Sequence, residues 1–232
     1  MSVQAAVTTQ PSLRLRALSA LVTAGAMAGA VFLLFFMLLA QAPHDFMATL
    51  PGFISIPLGL PIVAGPLLAG GAVWGALLAQ LVGAKPLPAA RTGAFTITGM
   101  VVLLEVPVHM SQALPIGGWF PFGIHGAFTL VFMIEVALVS GVASTRLVRR
   151  LDLDGEPRRI GRQVGLAGAI GFGIGSLVAA SLGLVVGQPA STTLLWTSNM
   201  VWALHLGNVA AGLAAGWELG RHLEAAHSMS HR

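Results

Sequence analysis

Six apolar stretches, each long enough to cross a bilayer as a helix, alternate with short polar segments along the chain. A helix rises about 1.5 Å per residue, so about 20 apolar residues span a hydrocarbon core of roughly 30 Å. We therefore expect an all-α integral membrane protein, a six-transmembrane-helix bundle flanked by polar tails at residues 1–16 and 218–232. The predicted spans are residues 17–40, 58–82, 92–111, 122–145, 163–186 and 194–217.

The charged residues are confined to one side of this predicted topology. All twelve Lys and Arg residues fall in the two tails or in the second and fourth connections between spans. Because positive charge in short loops is retained on the cytoplasmic side, we expect both termini to be cytoplasmic and the protein to lie in the cytoplasmic (plasma) membrane. The basic residues are spread over several short loops rather than gathered in one patch, which argues against a nucleic-acid partner.

Composition narrows the class further. Only 9% of the residues are charged, against about 25% in a soluble domain. The chain has no cysteine, which excludes disulfides, thiolate metal sites and cysteine nucleophiles. The basic start, the first apolar run and Ala40-Gln41-Ala42 also fit a signal peptide, but that run exceeds the roughly 7–15 residues of a signal core. We expect the first span to be retained.

Small residues at four-residue spacing predict where helices approach closely in lipid. The second span carries Gly71 and Gly75 as a GxxxG contact face, and two further stripes occupy the first and last spans: Ala20, Ala24 and Ala28, and Gly212, Gly216 and Gly220. A different expectation applies around the start of the second span. Proline fixes φ and removes a backbone donor, so the prolines at 51, 57, 61 and 66 predict an irregular, partly re-entrant segment.

Seven polar side chains within the spans form the predicted functional site. Counted inward from the uncharged side at about 1.5 Å per residue, they fall into an outer layer of Glu105, His109, His125 and Asn199 and a middle layer of Glu135, His205 and Asn208. An ionised carboxylate is costly in hydrocarbon, so we expect both glutamates to face the bundle interior. Pro107 removes the hydrogen bond to the Leu103 carbonyl and predicts a kink between Glu105 and His109.

These residues leave three functional interpretations open, and none indicates a catalytic centre. The first is transport or binding of a small solute, an ion or protons through the intramembrane Glu/His site. The second is a membrane redox subunit in which His109 and His125, with Glu105, hold haem or a metal ion. The third is a non-catalytic subunit or assembly factor in which the same residues hydrogen-bond one helix to another. Partners in these readings are the lipid bilayer, a small substrate or partner membrane subunits.

Two families resemble parts of this pattern. The segment from His205 to Gly212 resembles the last core helix of rhomboid proteases, but that family needs a GxSG nucleophile motif, and Leu138 stands where the first glycine before Ser140 belongs. Around Ser176, Ile174 and Leu177 stand where the two glycines of the motif belong, so it does not supply the motif either. Six spans, cytoplasmic termini and the alanine stripe also resemble substrate-binding subunits of energy-coupling-factor vitamin transporters. That resemblance is architectural and includes no diagnostic motif, so no family is assigned.

Overall fold

The computed structural model describes residues 10–40, 52–111, 123–182 and 198–230, with side chains described over 13–33, 64–104, 129–182 and 203–225. Every regular element within these ranges is an α-helix, which confirms the predicted all-helical class. In chain order the helices are α1 (Gln10–Ala40), α2 (Gly52–Leu81), α3 (Pro86–Ser111), α4 (Gly123–Arg150), α5 (Pro157–Ser181) and α6 (Ser198–Ser230).

Five of these helices are long and apolar enough to cross a membrane. The qualifying segments have mean hydropathies of 1.4–1.7 and are Leu13–Leu33, Ala64–Leu81, Pro86–Leu104, Thr129–Arg150 and Pro157–Ser181. The chain is therefore a helical, multi-pass membrane protein. The sixth helix carries His205 and Asn208 in its first half and does not reach the same apolar character in the part that is described. The count of six spans and the orientation of the termini stay predictions.

Helix α2 departs from the sequence-based expectation. It begins at Gly52 and continues to Leu81 through the prolines at 57, 61 and 66, so the predicted irregular segment is wrong for residues 52–66. A proline removes only its own N–H and crowds one carbonyl. In lipid, neighbouring helices and small local adjustments can satisfy the freed backbone groups.

The helices form a closed ring in which each packs on the next in sequence and α1 packs on α6. Two of the turns that build the ring are short and are capped by residues in the left-handed region. Gly83 (φ 72°) ends α2, with the Ala84 N–H bonded to the Ala79 carbonyl at 2.8 Å. Asp152 (φ 52°) ends α4 with the same hydrogen-bond pattern. These caps make α2–α3 and α4–α5 tight antiparallel hairpins.

Close packing of small residues joins α6 to α1, as the two stripes predict. A Cβ built on Gly212 would lie 2.5 Å from the Cα of Ala24, and one built on Gly216 would lie 2.6 Å from the Cα of Ala20. The predicted GxxxG face of α2 is also confirmed, because Gly71 and Gly75 lie directly against the α3 backbone at positions 93–94 and 89–90. Helix α5 makes comparable glycine contacts with α4 on one side and α6 on the other.

Two contacts in the ring are looser, and they divide it into a four-helix unit (α1, α4, α5 and α6) and the α2–α3 hairpin. We call the α1–α2 and α3–α4 contacts the two seams; they are the least extensive between neighbouring helices. At the α1–α2 seam, a Cβ built on Gly70 would lie 3.0 Å from the Ala30 Cβ and 3.1 Å from the Ala26 carbonyl oxygen, a looser approach than the 2.5–2.6 Å found for Gly212 and Gly216.

One end of the bundle gathers both short turns, the start of α1 and the last turns of α6; we call it the basic end. The Lys and Arg residues of the described part all belong to this end, and an apolar core drawn from every helix fills it. The helix α6 continues through the predicted polar tail, so that Leu219 and Leu223 are buried in this core. Its central side chains also include Trp74, Leu78 and Leu147.

Candidate functional site

Glu135 is the intramembrane carboxylate whose surroundings the structure describes. It lies in the apolar segment of α4 and is half-buried. With 3.6 residues per turn, positions 135, 139, 142 and 146 form one row along α4. At the end of that row, the Arg146 guanidinium donates from Nη1 to the Thr96 hydroxyl of α3 at 3.2 Å. The row that contains Glu135 therefore faces the α3–α4 seam.

His205 and Asn208 lie on neighbouring faces of α6. Helical periodicity puts His205 on the row of Gly212 and Gly216, which contact α1. Asn208 donates from Nδ2 to the Leu204 carbonyl of its own helix at 2.9 Å. Both side chains are half-buried. Asn208 is thus held at least in part by a local bond that needs no second helix.

An apolar cluster occupies the space where α4, α5 and α6 meet at this depth. Its buried members are Val136, Phe172 and Ala211. Phe132 of α4 stacks on Phe172 of α5 with ring centroids 5.8 Å apart, and a Cβ on Gly207 of α6 would collide with the Phe172 ring. Glu135 thus lies on a row that faces the α3–α4 seam, whereas His205 lies on a row that faces α1. The stacked rings of Phe132 and Phe172 occupy the space between their helices.

The other predicted site residues lie outside the described side chains. Glu105, Pro107 and His109 belong to α3, His125 to α4 and Asn199 to α6. The predicted outer layer, the kink at Pro107 and the haem or metal set of Glu105, His109 and His125 therefore stay predictions. Within the described part of the chain, no group of three or more His, Asp or Glu residues is arranged to hold a metal ion.

Hydroxyl groups in the apolar helices are functional candidates that the sequence reasoning missed. The Trp74 indole N–H donates to the Thr23 hydroxyl across the α1–α2 seam at 3.1 Å, and Thr96 accepts from Arg146 across the other seam. Each seam therefore has a hydrogen bond to a threonine. Among the described side chains, four buried hydroxyls have no hydrogen-bond partner: Ser19, Thr98, Ser144 and Ser176. The sequence feature that could have identified these residues is a Ser or Thr within an otherwise apolar run.

A cluster of charged groups joins α1 to α6 at the basic end. Arg16 donates from Nε to a Glu224 carboxylate oxygen at 2.7 Å, and its guanidinium lies 5.9 Å from the centre of the Trp217 ring. Glu218 accepts from Arg221 and lies 3.6 Å from His222 Nε2. The sequence predicts a polar tail from residue 218 onward, whereas the side chain of His222 in this segment is only 20% exposed.

Burial of the His222 imidazole lowers its pKa from the ordinary value of 6.5. The positive charges of Arg221 and Arg159 lower the pKa further, and the carboxylate of Glu218 opposes them without reversing the direction. Its Nε2 atom is buried and has no hydrogen-bond partner within 3.5 Å among the described residues. His222 is therefore held in its neutral form more strongly than a histidine in water.

Comparison with protein-family models, with curated proteins and with solved structures finds no match for this chain. Its function is therefore inferred from the residues themselves.

Proposed function

We propose that this protein moves a small solute or protons across the membrane, with Glu135 as the central carboxyl group of a polar path along the α3–α4 seam. The observation that carries the proposal is the position of Glu135. It lies within an apolar segment and on the α4 row that faces the looser of the helix contacts. An ionisable residue inside the membrane is by default a candidate for a substrate or proton path.

The second intramembrane glutamate falls at a similar height on the neighbouring helix. Counted from Arg146, Glu135 lies eleven residues, roughly 16 Å, toward the opposite end, and counted from Thr96, position 105 lies nine residues, roughly 14 Å, in the same direction. Position 105 continues the row of Ala94 and Thr98, and Ala94 packs against Gly71 of α2. The second carboxyl-bearing residue therefore falls at a similar height but on the α2 side of α3, and Glu135 is the residue of the proposed path that faces the seam.

Movement of the α2–α3 hairpin against the four-helix unit is the conformational change that this path requires. Glycine contacts hold each unit together internally, while the seams depend on side-chain contacts such as those of Thr23 and Thr96. The apolar core closes the basic end in the present conformation. Protonation of Glu135 would remove a charge that costs at least about 2.5 kcal/mol in hydrocarbon, so it can couple proton binding to this movement. The charge bias of the basic end favours a cytoplasmic location for it.

Proton flux into proteoliposomes tests the proposal even though the solute is unidentified. A potassium diffusion potential drives protons, and a pH-sensitive dye inside the vesicles reports them. We expect flux above that of empty vesicles, and we expect Glu135→Gln to reduce it at least about tenfold because the carboxyl group can no longer change protonation state. Glu156→Gln, the same substitution in the exposed turn before α5, is the matched control and should retain full flux.

Two results would contradict the proposal. The first is flux in Glu135→Gln and Glu105→Gln that equals that of the wild type. The second is wild-type flux no greater than that of empty vesicles, together with a Soret band in the purified protein that disappears in a His109→Ala, His125→Ala double variant. That second result would support the redox interpretation instead.

A further inference from the structure

An open groove of about 520 Å³ runs along the outside of the bundle beside α6 and is lined by residues of α1, α5 and α6. We call this groove the α6 valley. Most of the residues that line it are small or apolar, including Ala167, Gly171, Ala210 and Ala214. At the basic end of the bundle the lining ends with Trp217 and Glu218. Its volume falls within the roughly 300–1,000 Å³ of small-molecule sites.

The valley follows from the close packing of α6. Glycines at the α1–α6 and α5–α6 contacts draw α6 in between its two neighbours. Ala210 and Ala214 of α6 lie beside Gly171 and Gly175 of α5, whereas Leu213 of α6 and Ile174 of α5 stand out from the surface with 41% and 56% exposure. An apolar chain that lies along the alanines would therefore be bordered by larger side chains.

Cationic side chains lie at the basic end of the valley. Trp217 is 41% exposed there, the Arg16 guanidinium lies over its ring, and Arg221 follows one turn later on the same helix. A guanidinium has five N–H donors, and the hydrogen bonds to Glu224 and Glu218 engage Nε of Arg16 and Nη2 of Arg221. Planar guanidinium groups are well suited to bind phosphate oxygens in pairs.

We propose that the α6 valley binds an anionic phospholipid, with an acyl chain along Ala210 and Ala214 and the phosphate at Arg16 and Arg221. An amphiphile matches both halves of the site, because the groove is mostly apolar and the guanidinium groups of Arg16 and Arg221 lie beside its end at Trp217 and Glu218. The groove opens sideways into the region that lipid occupies, so the ligand can enter from the bilayer. A tryptophan at the junction of the two halves fits the headgroup level of a membrane, and basic pockets between helices favour anionic headgroups.

Quenching of Trp217 fluorescence by brominated lipids tests this site on the full chain. Vesicles of phosphatidylcholine receive equal mole fractions of a phosphatidylglycerol or a phosphatidylcholine with brominated acyl chains. The signal of Trp217 is the difference between the wild type and Trp217→Phe. We expect stronger quenching by the brominated phosphatidylglycerol, and we expect Arg221→Gln to reduce that preference about fivefold, the ratio contributed by one cation near anionic lipid. Arg150→Gln, at the end of α4 and away from the valley, is the matched control.

Each other outcome overturns the proposal. Equal quenching by the two brominated lipids would mean that Trp217 meets only ordinary bilayer lipid. A preference that survives Arg221→Gln would remove the headgroup assignment, and no quenching by either lipid would mean that another protein helix covers the valley. Arg221 is chosen over Arg16 because its side chain is 47% exposed and its loss leaves the ion pair between α1 and α6 in place.

Discussion

Trp74 of α2 donates its indole N–H to the hydroxyl of Thr23 on α1, and both side chains are buried within the bundle. The same Thr23 hydroxyl donates to the Ser19 carbonyl one turn earlier in its own helix. This arrangement satisfies the hydroxyl as both donor and acceptor and ties the α2–α3 hairpin to the four-helix unit. Together with the bond from Arg146 to Thr96, it is a specific polar link across a seam in the described part of the chain.

A double-mutant cycle measures the strength of this link. Thr23→Val leaves the buried indole N–H without its partner, and we expect it to lower the free energy of unfolding by about 1–3 kcal/mol. Trp74→Phe should also destabilise, and the coupling energy between the two changes should be about 0.6–1.7 kcal/mol, the range for hydrogen bonds between membrane helices. Unfolding in mixed micelles of a denaturing detergent provides the measurement. Strictly additive effects would show that the bond contributes nothing to the seam.

Glycine at position 216 is required by the approach of α1 to α6. A Cβ there would lie 2.6 Å from both the Cα of Ala20 and the Ser19 carbonyl oxygen, so Gly216→Ala must separate the two backbones. We expect a loss of roughly 1–3 kcal/mol, the usual cost of overpacking. Gly25→Ala is the matched control, because nothing lies within 4 Å of its Cβ position. Equal stability of the two variants in the same micelle assay would contradict this account of the packing.

A disulfide across the α1–α2 seam should stop the movement that transport requires. The chain has no cysteine of its own, and a Cβ on Gly70 would lie 3.0 Å from the Ala30 Cβ, close to the roughly 3.5–4.5 Å of disulfides. We expect the oxidised Gly70→Cys, Ala30→Cys variant to lose proton flux and to regain it after reduction.

A second engineered disulfide, placed within the four-helix unit, is the control for the disulfide across the seam. A Cβ on Gly168 of α5 would lie 3.4 Å from the Ala215 Cβ of α6, so Gly168→Cys, Ala215→Cys can form a comparable bond without crossing a seam. Its flux should be the same before and after oxidation. If both disulfides stop flux equally, or if neither does, the α2–α3 hairpin is not the moving part.

Acid should weaken the basic end through His222. Burial, with help from Arg221 and Arg159, lowers the pKa of this imidazole below 6.5 despite the opposing Glu218 carboxylate. The folded state therefore binds fewer protons there than the unfolded state does. The stability that neutral His222 supplies is complete above pH 6.5 and declines as the pH falls through 6.5 toward the folded pKa. Between pH 8 and pH 5, the melting temperature should fall less steeply for His222→Gln than for the wild type. Identical slopes would show that His222 does not cause the loss of stability in acid.

The sequence predicted which faces contain small residues but could not predict their partners. Ala20 and Ala24 contact α6, while Gly25 and Gly29 have the same spacing on the same helix and nothing within 4 Å. The pair Ala20 and Ala24 and the pair Gly25 and Gly29 both satisfy the four-residue spacing of small residues, because that pattern describes a single helix. Which pair is used depends on the contact between α1 and α6, which are far apart in the sequence.

Direction around the bundle could not be predicted from a count of residues along each helix. A count of residues gives similar heights to Glu135 and His205, but their rows face α3 and α1 respectively. The directions depend on how each helix is rotated by its close contacts, for example by Gly165 of α5 against Ala137 of α4. Arg146 shows the same effect, because the sequence predicts a polar loop at this position and the side chain instead extends along α4 to Thr96.

The contact between the first and last helices also sets the order of assembly. Ala24 leaves the ribosome about 190 residues before Gly212, which at about 5–20 residues per second is roughly 10–40 s. During that time the α2–α3 and α4–α5 hairpins can form, since each needs only a short turn. Until α6 is synthesised, the alanine face of α1 has no partner helix in the bilayer. The ring therefore closes only when synthesis reaches α6.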